Sequence, residues 1–191
     1  MNNSLSQTGP GIFIDRDGTL NEEVDFLCRP DDVVLIGGAA RAIAVLNAKS
    51  IPVIIVTNQS GIGRGLYGWE EYGAVAKKID DLLALEGAHI DDSFACPFHE
   101  DGVGEYRQAN HPDRKPMPGM LVRAAQKHKI DLARSWMIGD KEIDMEAGRR
   151  AGCRVALVRT GYGCAVNPKL ADIVADNLGL AIEAILGFVE E

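Results

Sequence analysis

The chain has 191 residues, of which 46% are apolar and 25% are charged, so it can bury one sizeable core and its length favours a single domain. Its formal net charge of -8 disfavours nucleic acid or an anionic membrane surface as the main partner. The N-terminus does not resemble a signal peptide, and no apolar run approaches the roughly 20 residues of a membrane-spanning helix. We therefore predict a cytoplasmic protein, monomeric or weakly homo-oligomeric, whose partner is a small molecule.

Short apolar runs alternate with longer amphipathic stretches along the chain. The predicted strands cover residues 11–14, 52–56, 93–95, 136–138 and 155–158. The predicted helices cover residues 38–49, 69–86, 118–129, 142–151 and 178–189. This alternation predicts βαβ units, and therefore an α/β fold with a doubly wound, mainly parallel sheet and helices on both faces.

The pattern indicates one domain over residues 1–191, with residues 1–8 as a flexible tail. Residues 97–118 follow neither a helical nor a strand period and contain Gly, Pro, His, Asp and Arg. Long loops in compact domains are usually functional or disordered. We therefore predict that residues 97–118 form a long functional loop between a strand and a helix.

Polar residues follow three of the predicted strands, at the edge where an open parallel sheet binds its ligands. They are Asp15 and Asp17 after the first strand, Thr57 and Asn58 after the second, and Asp140 after the fourth, with Lys115 just before the third helix. Asp15 could be a nucleophile that becomes phosphorylated to an acyl phosphate. Asp17 could protonate the leaving oxygen and later deprotonate the attacking water.

A carboxylate and a phosphate approach each other only when their charge is neutralised, which calls for Mg²⁺. Asp15, the Asp17 backbone carbonyl and Asp140 could hold this ion, and Asp144 could also ligate it or orient Lys141. Thr57, the Asn58 backbone and Lys115 could hold the phosphoryl oxygens. Each motif alone could also be a polar turn or a helix N-cap. The prediction of phosphate chemistry depends on all of them meeting at one sheet edge.

These motifs resemble those of the haloacid dehalogenase (HAD) superfamily of phosphotransferases. The similar segments are Asp15-x-Asp17-Gly18-Thr19, Thr57-Asn58, Lys115 and Gly139-Asp140-x-x-x-Asp144. The resemblance implies that Asp15 is the nucleophile and Asp17 the acid/base, and that Asp15, Asp17 and Asp140 hold Mg²⁺. It also implies that Thr57 and Lys115 stabilise the phosphoryl group.

Within the superfamily, residues 13–19, 56–65, 114–120 and 138–141 are similar to phosphatases of D-glycero-D-manno-heptose 1,7-bisphosphate and of histidinol phosphate. The resemblance implies a core domain without a large cap. It implies removal of the 7-phosphate of the heptose, on the way to nucleotide-sugar and lipopolysaccharide precursors, with histidinol phosphate or another small ester as the alternative. Arg114 would contact the rest of the substrate. Lys141 and Arg64 are further candidate substrate-binding residues, and Arg64 could reach a second phosphate.

Two segments depart from that family's pattern. Its members often bind structural zinc through Cys-x-His and a later Cys-x-Cys, whereas this chain has Cys96, His99, His111 and Asp113 there. These four could still form a tetrahedral zinc site, or the loop could be free of metal. Residues 23–26 read Glu-Val-Asp-Phe where the family typically has Asp-His-Gly-Tyr, which leaves the exact substrate open.

Two other functions are alternatives to a phosphatase. A non-catalytic phosphosugar-binding module is disfavoured because binding phosphate alone does not need the two negative charges of Asp15 and Asp17. A sugar-phosphate mutase commonly carries a large cap domain, for which a chain of 191 residues has little room. The sequence therefore predicts a phosphoric monoester hydrolase.

Overall fold

The computed structural model describes residues 9–189, so the tail predicted at residues 1–8 lies outside the described residues. The strands are Ile12–Ile14 (β1), Val53–Asn58 (β2), Asp92–Cys96 (β3), Trp136–Gly139 (β4), Arg154–Val158 (β5) and Ile173–Ala175 (β6). The helices are Ala39–Ala48 (α1), Ser60–Gly63 (α2), Trp69–Ala84 (α3), Gly119–His128 (α4), Glu142–Ala151 (α5) and Leu178–Val189 (α6). Within this range no helix has the length and apolar character needed to cross a membrane.

The strands form one sheet in the order β3-β2-β1-β4-β5-β6, and each strand pair in the described part of the chain is parallel. β1 lies in the centre, with β2 on one side and β4 on the other. The chain therefore winds outward in both directions from β1, and the carboxyl ends of β1, β2 and β4 meet at a topological switch point. The predicted doubly wound α/β fold is confirmed.

Alternate residues of the central strands pack against opposite layers of helices. In β1, Ile12 and Ile14 pack on the side covered by α1, α3 and α6, whereas Phe13 packs on the side covered by α4 and α5. All three side chains are buried. Burial of a large apolar side chain contributes about 1.5–3 kcal/mol. The sheet that carries the strand ends is thus held by a core on each face.

The predicted helices begin and end within two residues of α1, α3, α4, α5 and α6. The sequence missed β6 and α2, since runs of three and four residues are too short to show a period. Residues 97–118 connect β3 to α4 and contain one 3₁₀ turn, Gly104–Tyr106. No insertion the size of a cap domain interrupts the elements between residues 9 and 189.

Candidate active site

Asp15 lies at the centre of the carboxyl edge of the sheet, directly after β1. Its backbone N–H donates to Ile138 O of β4 at 2.9 Å. Its Oδ1 accepts a hydrogen bond from the backbone N–H of Arg16 at 2.8 Å. Asp15 is buried, with 5% of its surface exposed. The sheet and the following turn therefore fix the position of this carboxylate, as the geometry of a nucleophile requires.

Asp15 belongs to a group of three buried carboxylates. Asp15, Asp140 and Asp144 offer oxygens that lie within 4.8 Å of one another, and no other such His/Cys/Asp/Glu group occurs in residues 9–189. Lys115 Nζ lies 2.8 Å from Asp15 Oδ1 and 2.6 Å from Asp144 Oδ1. Burial alone would lower the pKa of Lys115, but the charges of Asp144 and Asp15 outweigh it and raise that pKa. A charged ammonium therefore stands beside the predicted nucleophile.

Asp140 follows β4 and is fully buried. The backbone N–H of Tyr162 donates to its Oδ2 at 2.8 Å, and the Thr19 hydroxyl lies 3.5 Å from its Oδ1. Burial, reinforced by the charge of Asp15, raises the pKa of Asp140 to about 7. Gly18 has a φ of 84°, and a Cβ at this position would lie 2.5 Å from Asp140 Oδ2. Only glycine therefore suits the turn that packs against Asp140.

The carboxylate group fits a hard divalent cation. Its donors are all oxygen atoms, which Mg²⁺ prefers. Asp144 is occupied, since it accepts from the backbone N–H of Lys141 at 2.9 Å and pairs with Lys115. Asp15 and Asp140 remain as carboxylates that could hold such an ion. Three carboxylates face a single buried ammonium, and a cation would neutralise the excess negative charge.

The carboxylate of Asp17, the predicted acid/base, lies outside this group and is bonded to other side chains. Its Oδ1 accepts from Arg16 Nε at 3.0 Å and from Asn21 Nδ2 at 3.1 Å. Its Oδ2 accepts from Arg16 Nη2 at 2.8 Å and from Gln59 Nε2 at 3.0 Å. The Asp17 carboxylate is therefore not part of the carboxylate group, and a metal contact through the Asp17 backbone carbonyl stays a prediction.

Thr57 and Asn58 end β2 and face the same region. The Thr57 hydroxyl oxygen accepts from Gln59 Nε2 at 2.8 Å, which leaves its proton available for an oxygen of a ligand. Asn58 Oδ1 accepts from the backbone N–H of Lys115 at 3.0 Å, and Asn58 Nδ2 donates to Lys115 O at 3.0 Å. The Asn58 side chain thus anchors the backbone of Lys115, and the substrate contact through the Asn58 backbone stays a prediction.

A cleft of ≈ 180 Å³ opens beside Asp17 and is lined in part by Asn58, Glu23, Lys141 and Tyr162. Lys141 Nζ lies 2.8 Å from Glu23 Oε2 and 4.8 Å from the ring centre of Tyr162. Burial alone would lower the pKa of Lys141, but Glu23 and the nearby carboxylates outweigh it and raise that pKa. The structure therefore places a charged Lys141 in the cleft.

The two predicted substrate-binding arginines occupy different positions. The guanidinium of Arg64, at the end of α2, lies 5.5 Å from the ring centre of Phe26, which lines the cleft beside Asp17. Arg114 instead lines a second cavity of ≈ 270 Å³ together with Lys115. It donates to Phe98 O at 3.0 Å, and burial lowers its pKa. Arg64 therefore lies against a residue that lines the first cavity, whereas Arg114 itself lines the second.

The four residues predicted as possible zinc ligands do not come together as a metal-binding group in residues 9–189. Nδ1 of His99 accepts from the backbone N–H of Asp101 at 3.0 Å, and Nδ1 of His111 accepts from that of Asp113 at 3.1 Å. Burial raises the pKa of the Cys96 thiol to about 11. The described part of the chain therefore gives no support for zinc at these four residues.

Direct packing holds the loop where zinc was considered. The rings of Phe98 and His111 stack with their centroids 3.7 Å apart, and Phe98 packs edge-on against Tyr106 at 5.7 Å. Asp113 forms an ion pair with Arg123 of α4. The carboxylate considered as a zinc ligand is therefore already paired with an arginine.

Comparison with known proteins assigns the family. A family model described as HAD-hydrolase-like matches residues 113–181. The chain is 48% identical over 143 residues to a D-glycero-beta-D-manno-heptose-1,7-bisphosphate 7-phosphatase of Mesorhizobium japonicum, a match that covers 75% of this chain and 66% of the relative. It is 39% identical over 186 residues to a D-glycero-D-manno-heptose-1,7-bisphosphate 7-phosphatase of Thermosynechococcus vestitus, covering 92% of this chain and 95% of the relative. The chain belongs to this HAD-like phosphatase family.

A solved structure supports the same family. The D,D-heptose 1,7-bisphosphate phosphatase of B. bronchiseptica, solved in complex with magnesium and phosphate, superimposes with a TM-score of 0.84 at 33% identity. The match covers 94% of this chain and 99% of that one. A phosphatase core without a large cap is therefore common to both.

Sequence reasoning missed three residues that organise the site of this HAD-like phosphatase. Arg16 and Gln59 bond to Asp17, and Glu23 pairs with Lys141. Arg16 lies between two aspartates in the sequence, and this order could have indicated that it pairs with one of them. Glu23 gave no such signal, because its partner lies 118 positions away.

Proposed function

We propose that this protein is a Mg²⁺-dependent phosphatase that removes the 7-phosphate of D-glycero-D-manno-heptose 1,7-bisphosphate through an aspartyl phosphate on Asp15. The observation that carries the proposal is the pairing of Asp15 with Lys115 beside Asp140, at the switch point of the sheet. The substrate is supported by the names of relatives that match most of this chain. It is a small phosphate ester rather than a macromolecule.

The reaction has two displacements at phosphorus. In the first, an Asp15 oxygen forms a bond to phosphorus, the bond to the ester oxygen breaks, and Asp17 gives that oxygen a proton. In the second, Asp17 takes a proton from water, the water oxygen forms a bond to phosphorus, and the bond between phosphorus and the Asp15 oxygen breaks, which releases inorganic phosphate. Asp15 and Asp17 then return to their starting states.

The charge that develops on the phosphoryl oxygens is met by Lys115, the Thr57 hydroxyl and the backbone of Asn58. Lys115 suits this role because its ammonium already contacts Asp15. The Asn58 side chain supports it by bonding to both backbone groups of Lys115. These groups are fixed before the substrate arrives, so the reaction needs little rearrangement.

Asp15, Asp140 and the Asp17 carbonyl would hold Mg²⁺, which when bound neutralises charge between the Asp15 carboxylate and the phosphoryl group. The buried, all-oxygen character of the carboxylate group supports this assignment. The pKa of Asp140, which is raised to about 7, indicates a carboxyl whose negative charge is poorly compensated by the protein alone.

A bisphosphate needs cationic groups at two places. Lys115 serves the phosphate that reacts at Asp15. Lys141 in the cleft and Arg64 at its rim are positioned for the rest of the substrate. Arg114 lines the second cavity and would serve a substrate that extends past Lys115.

The substrate is tested by comparing kcat/KM for both anomers of heptose 1,7-bisphosphate, histidinol phosphate and p-nitrophenyl phosphate in Mg²⁺. We expect the largest value for one heptose anomer and loss of turnover in Asp15→Asn with every substrate. A preference for histidinol phosphate would move the protein to that activity. Full turnover by Asp15→Asn would rule out the covalent route.

The predicted cytoplasmic location, the monomeric or weakly oligomeric state and the lack of a nucleic-acid or membrane partner stay predictions. The net charge of -8 supports the last of them. Light scattering across a concentration series tests the oligomeric state directly.

A further inference from the structure

Arg16 is a buried arginine that stands between the nucleophile and the acid/base. It is 1% exposed. Its guanidinium meets the carboxylate of Asp17 through two bonds, from Nε to Oδ1 at 3.0 Å and from Nη2 to Oδ2 at 2.8 Å. Two such parallel bonds fix the plane of a carboxylate as well as its distance. Arg16 therefore determines how Asp17 is presented.

Gln59 extends this arrangement to the phosphoryl-binding side. Its Oε1 accepts from Arg16 Nη2 at 3.2 Å and from the Tyr67 hydroxyl at 2.5 Å. Its Nε2 donates to Asp17 Oδ2 at 3.0 Å and to Thr57 Oγ1 at 2.8 Å. Both ends of the amide are thus committed, which fixes its orientation. One connected network holds Asp17 relative to Thr57.

The guanidinium of Arg16 also packs against an aromatic ring. Its Cζ lies 5.4 Å from the ring centre of Tyr72, whose hydroxyl is 3.0 Å from Ser93 Oγ. Packing against an aromatic ring limits the rotamers that a long side chain can adopt. The position of the guanidinium is therefore fixed both by the Tyr72 ring and by its bonds to Asp17.

We propose that Arg16 is a positioning residue for this reaction. Its side chain holds the Asp17 carboxylate in the orientation from which Asp17 gives its proton to the leaving oxygen and takes one from water. Arg16 acts through Asp17 and reaches neither the substrate nor the reacting atoms. The inference rests on the proposed function, since it takes Asp17 as the acid/base. Lysine cannot substitute, because a single ammonium lacks the two-pronged geometry.

The backbone of Arg16 makes this role separable from that of the nucleophile. The bond to Asp15 Oδ1 comes from the Arg16 main-chain N–H, at 2.8 Å. A substitution of the side chain keeps that donor. Arg16→Lys therefore changes the support of Asp17 while leaving the local bond to Asp15 in place.

The test compares two substrates that differ in their need for a proton. The leaving oxygen of heptose 1,7-bisphosphate is an alkoxide that must be protonated, whereas p-nitrophenolate leaves without protonation. We expect Arg16→Lys to lower kcat for the heptose about 10- to 100-fold, with KM changed less than about 3-fold. The first-turnover burst of p-nitrophenolate should fall much less.

A double-mutant comparison shows whether Arg16 acts through Asp17. If it does, adding Arg16→Lys to Asp17→Asn produces no further loss of kcat, since the group being positioned has already been removed. A multiplicative loss, an equal loss with both substrates, or an effect on KM alone would overturn the inference. If Asp17→Asn alone keeps full heptose turnover, the proposed function itself fails. This single variant therefore tests the proposed function separately from the role of Arg16.

Two further variants keep the test interpretable. Arg149→Lys is a matched control, because Arg149 forms an exposed ion pair with Asp172 at 2.7 Å, and its kcat should equal that of the wild type. If Arg16→Lys does not fold, as thermal unfolding would reveal, Tyr67→Phe removes the support of Gln59 Oε1 without disturbing a buried charge. It should lower heptose turnover more than the p-nitrophenolate burst, and an equal loss would count against the inference.

Discussion

Lys115 Nζ lies 2.6 Å from Asp144 Oδ1, and both side chains are buried. Asp144 sits in the first turn of α5, where its Oδ2 also accepts from the backbone N–H of Lys141 at 2.9 Å. The start of this helix thus fixes Asp144, and Asp144 in turn holds Lys115 against Asp15. Asp144, from the segment that follows β4, therefore positions the Lys115 ammonium.

Asp144→Asn should lower both stability and turnover. It leaves Lys115 buried with only Asp15 as its partner, and breaking one side of a buried pair costs about 3–5 kcal/mol. The misplaced ammonium should reduce kcat at least about tenfold. Urea unfolding and steady-state kinetics measure the two effects.

Asp81→Asn is the matched control for that variant. Asp81 pairs with Lys77 at 2.7 Å, but their side chains are 61% and 74% exposed. We expect the free energy of unfolding to change by less than about 0.5 kcal/mol and kcat to stay the same. Equal destabilisation by the two substitutions would show that the Lys115–Asp144 pair has no special role.

The metal-free protein should lose stability as the pH rises from 5 to 8. Burial raises the pKa of folded Asp140 to about 7 and also raises that of Asp144, whereas an unfolded aspartate titrates near about 3.9. The native state then binds more protons than the unfolded state. This contribution is fully present below the unfolded pKa and is lost as the pH passes the folded pKa.

The Asp140 contribution is isolated by comparing the wild type with Asp140→Asn in EDTA. The unfolding free energy of the variant, relative to that of the wild type, should increase between pH 5 and 8. The increase should be on the order of a few kcal/mol, since each unit of pKa difference corresponds to about 1.4 kcal/mol. Added Mg²⁺ should stabilise the wild type more at pH 8 than at pH 5. If the unfolding free energies of the wild type and Asp140→Asn differ by the same amount from pH 5 to pH 8, the raised pKa of Asp140 is contradicted.

Lys141→Gln should weaken substrate binding more than it slows the chemical step. Its ammonium lies in the cleft, paired with Glu23 at 2.8 Å. We expect KM for heptose 1,7-bisphosphate to rise about tenfold and kcat to change much less, as for a lost uniform-binding contact. Lys77→Gln, on the exposed face of α3, is the control. A selective loss of kcat would instead place Lys141 in the chemistry.

The loop of residues 97–118 should be stable without zinc. A zinc-selective chelator added in excess Mg²⁺ should leave the thermal midpoint unchanged. Phe98→Ala should lower stability by about 2 kcal/mol or more, because it removes the stack on His111 and the edge contact with Tyr106. A chelator effect larger than that of Phe98→Ala would reinstate a metal in this loop.

The sequence was sufficient to predict that Asp15 and Asp140 meet. Both follow near-continuous apolar strands, and parallel strands in a doubly wound sheet present their carboxyl ends together. The five longer helices were predictable for a similar reason, since an apolar stripe at helical period is a local property. Lys115 was predictable only as a cation near the site.

The partners of these side chains could not be read from the sequence. Gln59 reaches Asp17 across 42 positions, and Asn58 bonds to Lys115 across 57. Such contacts depend on side-chain rotamers and on how the helices pack against the sheet. Neither the hydrophobic period nor the composition of the sequence indicates these features. The same limit applies to the zinc hypothesis, which rested on residue types alone. In the structure His99, His111 and Asp113 form bonds within their loop or with Arg123.

The proposed mechanism requires that the Asp15 carboxylate becomes phosphorylated during turnover. Its most direct test is to quench the wild-type enzyme early in turnover of heptose 1,7-bisphosphate with Mg²⁺, reduce the acyl phosphate with borohydride, and locate the resulting homoserine by mass spectrometry. We predict homoserine at position 15 and at no other aspartate. Homoserine at another aspartate, or none at position 15 while a phosphorylated enzyme accumulates, would contradict the account.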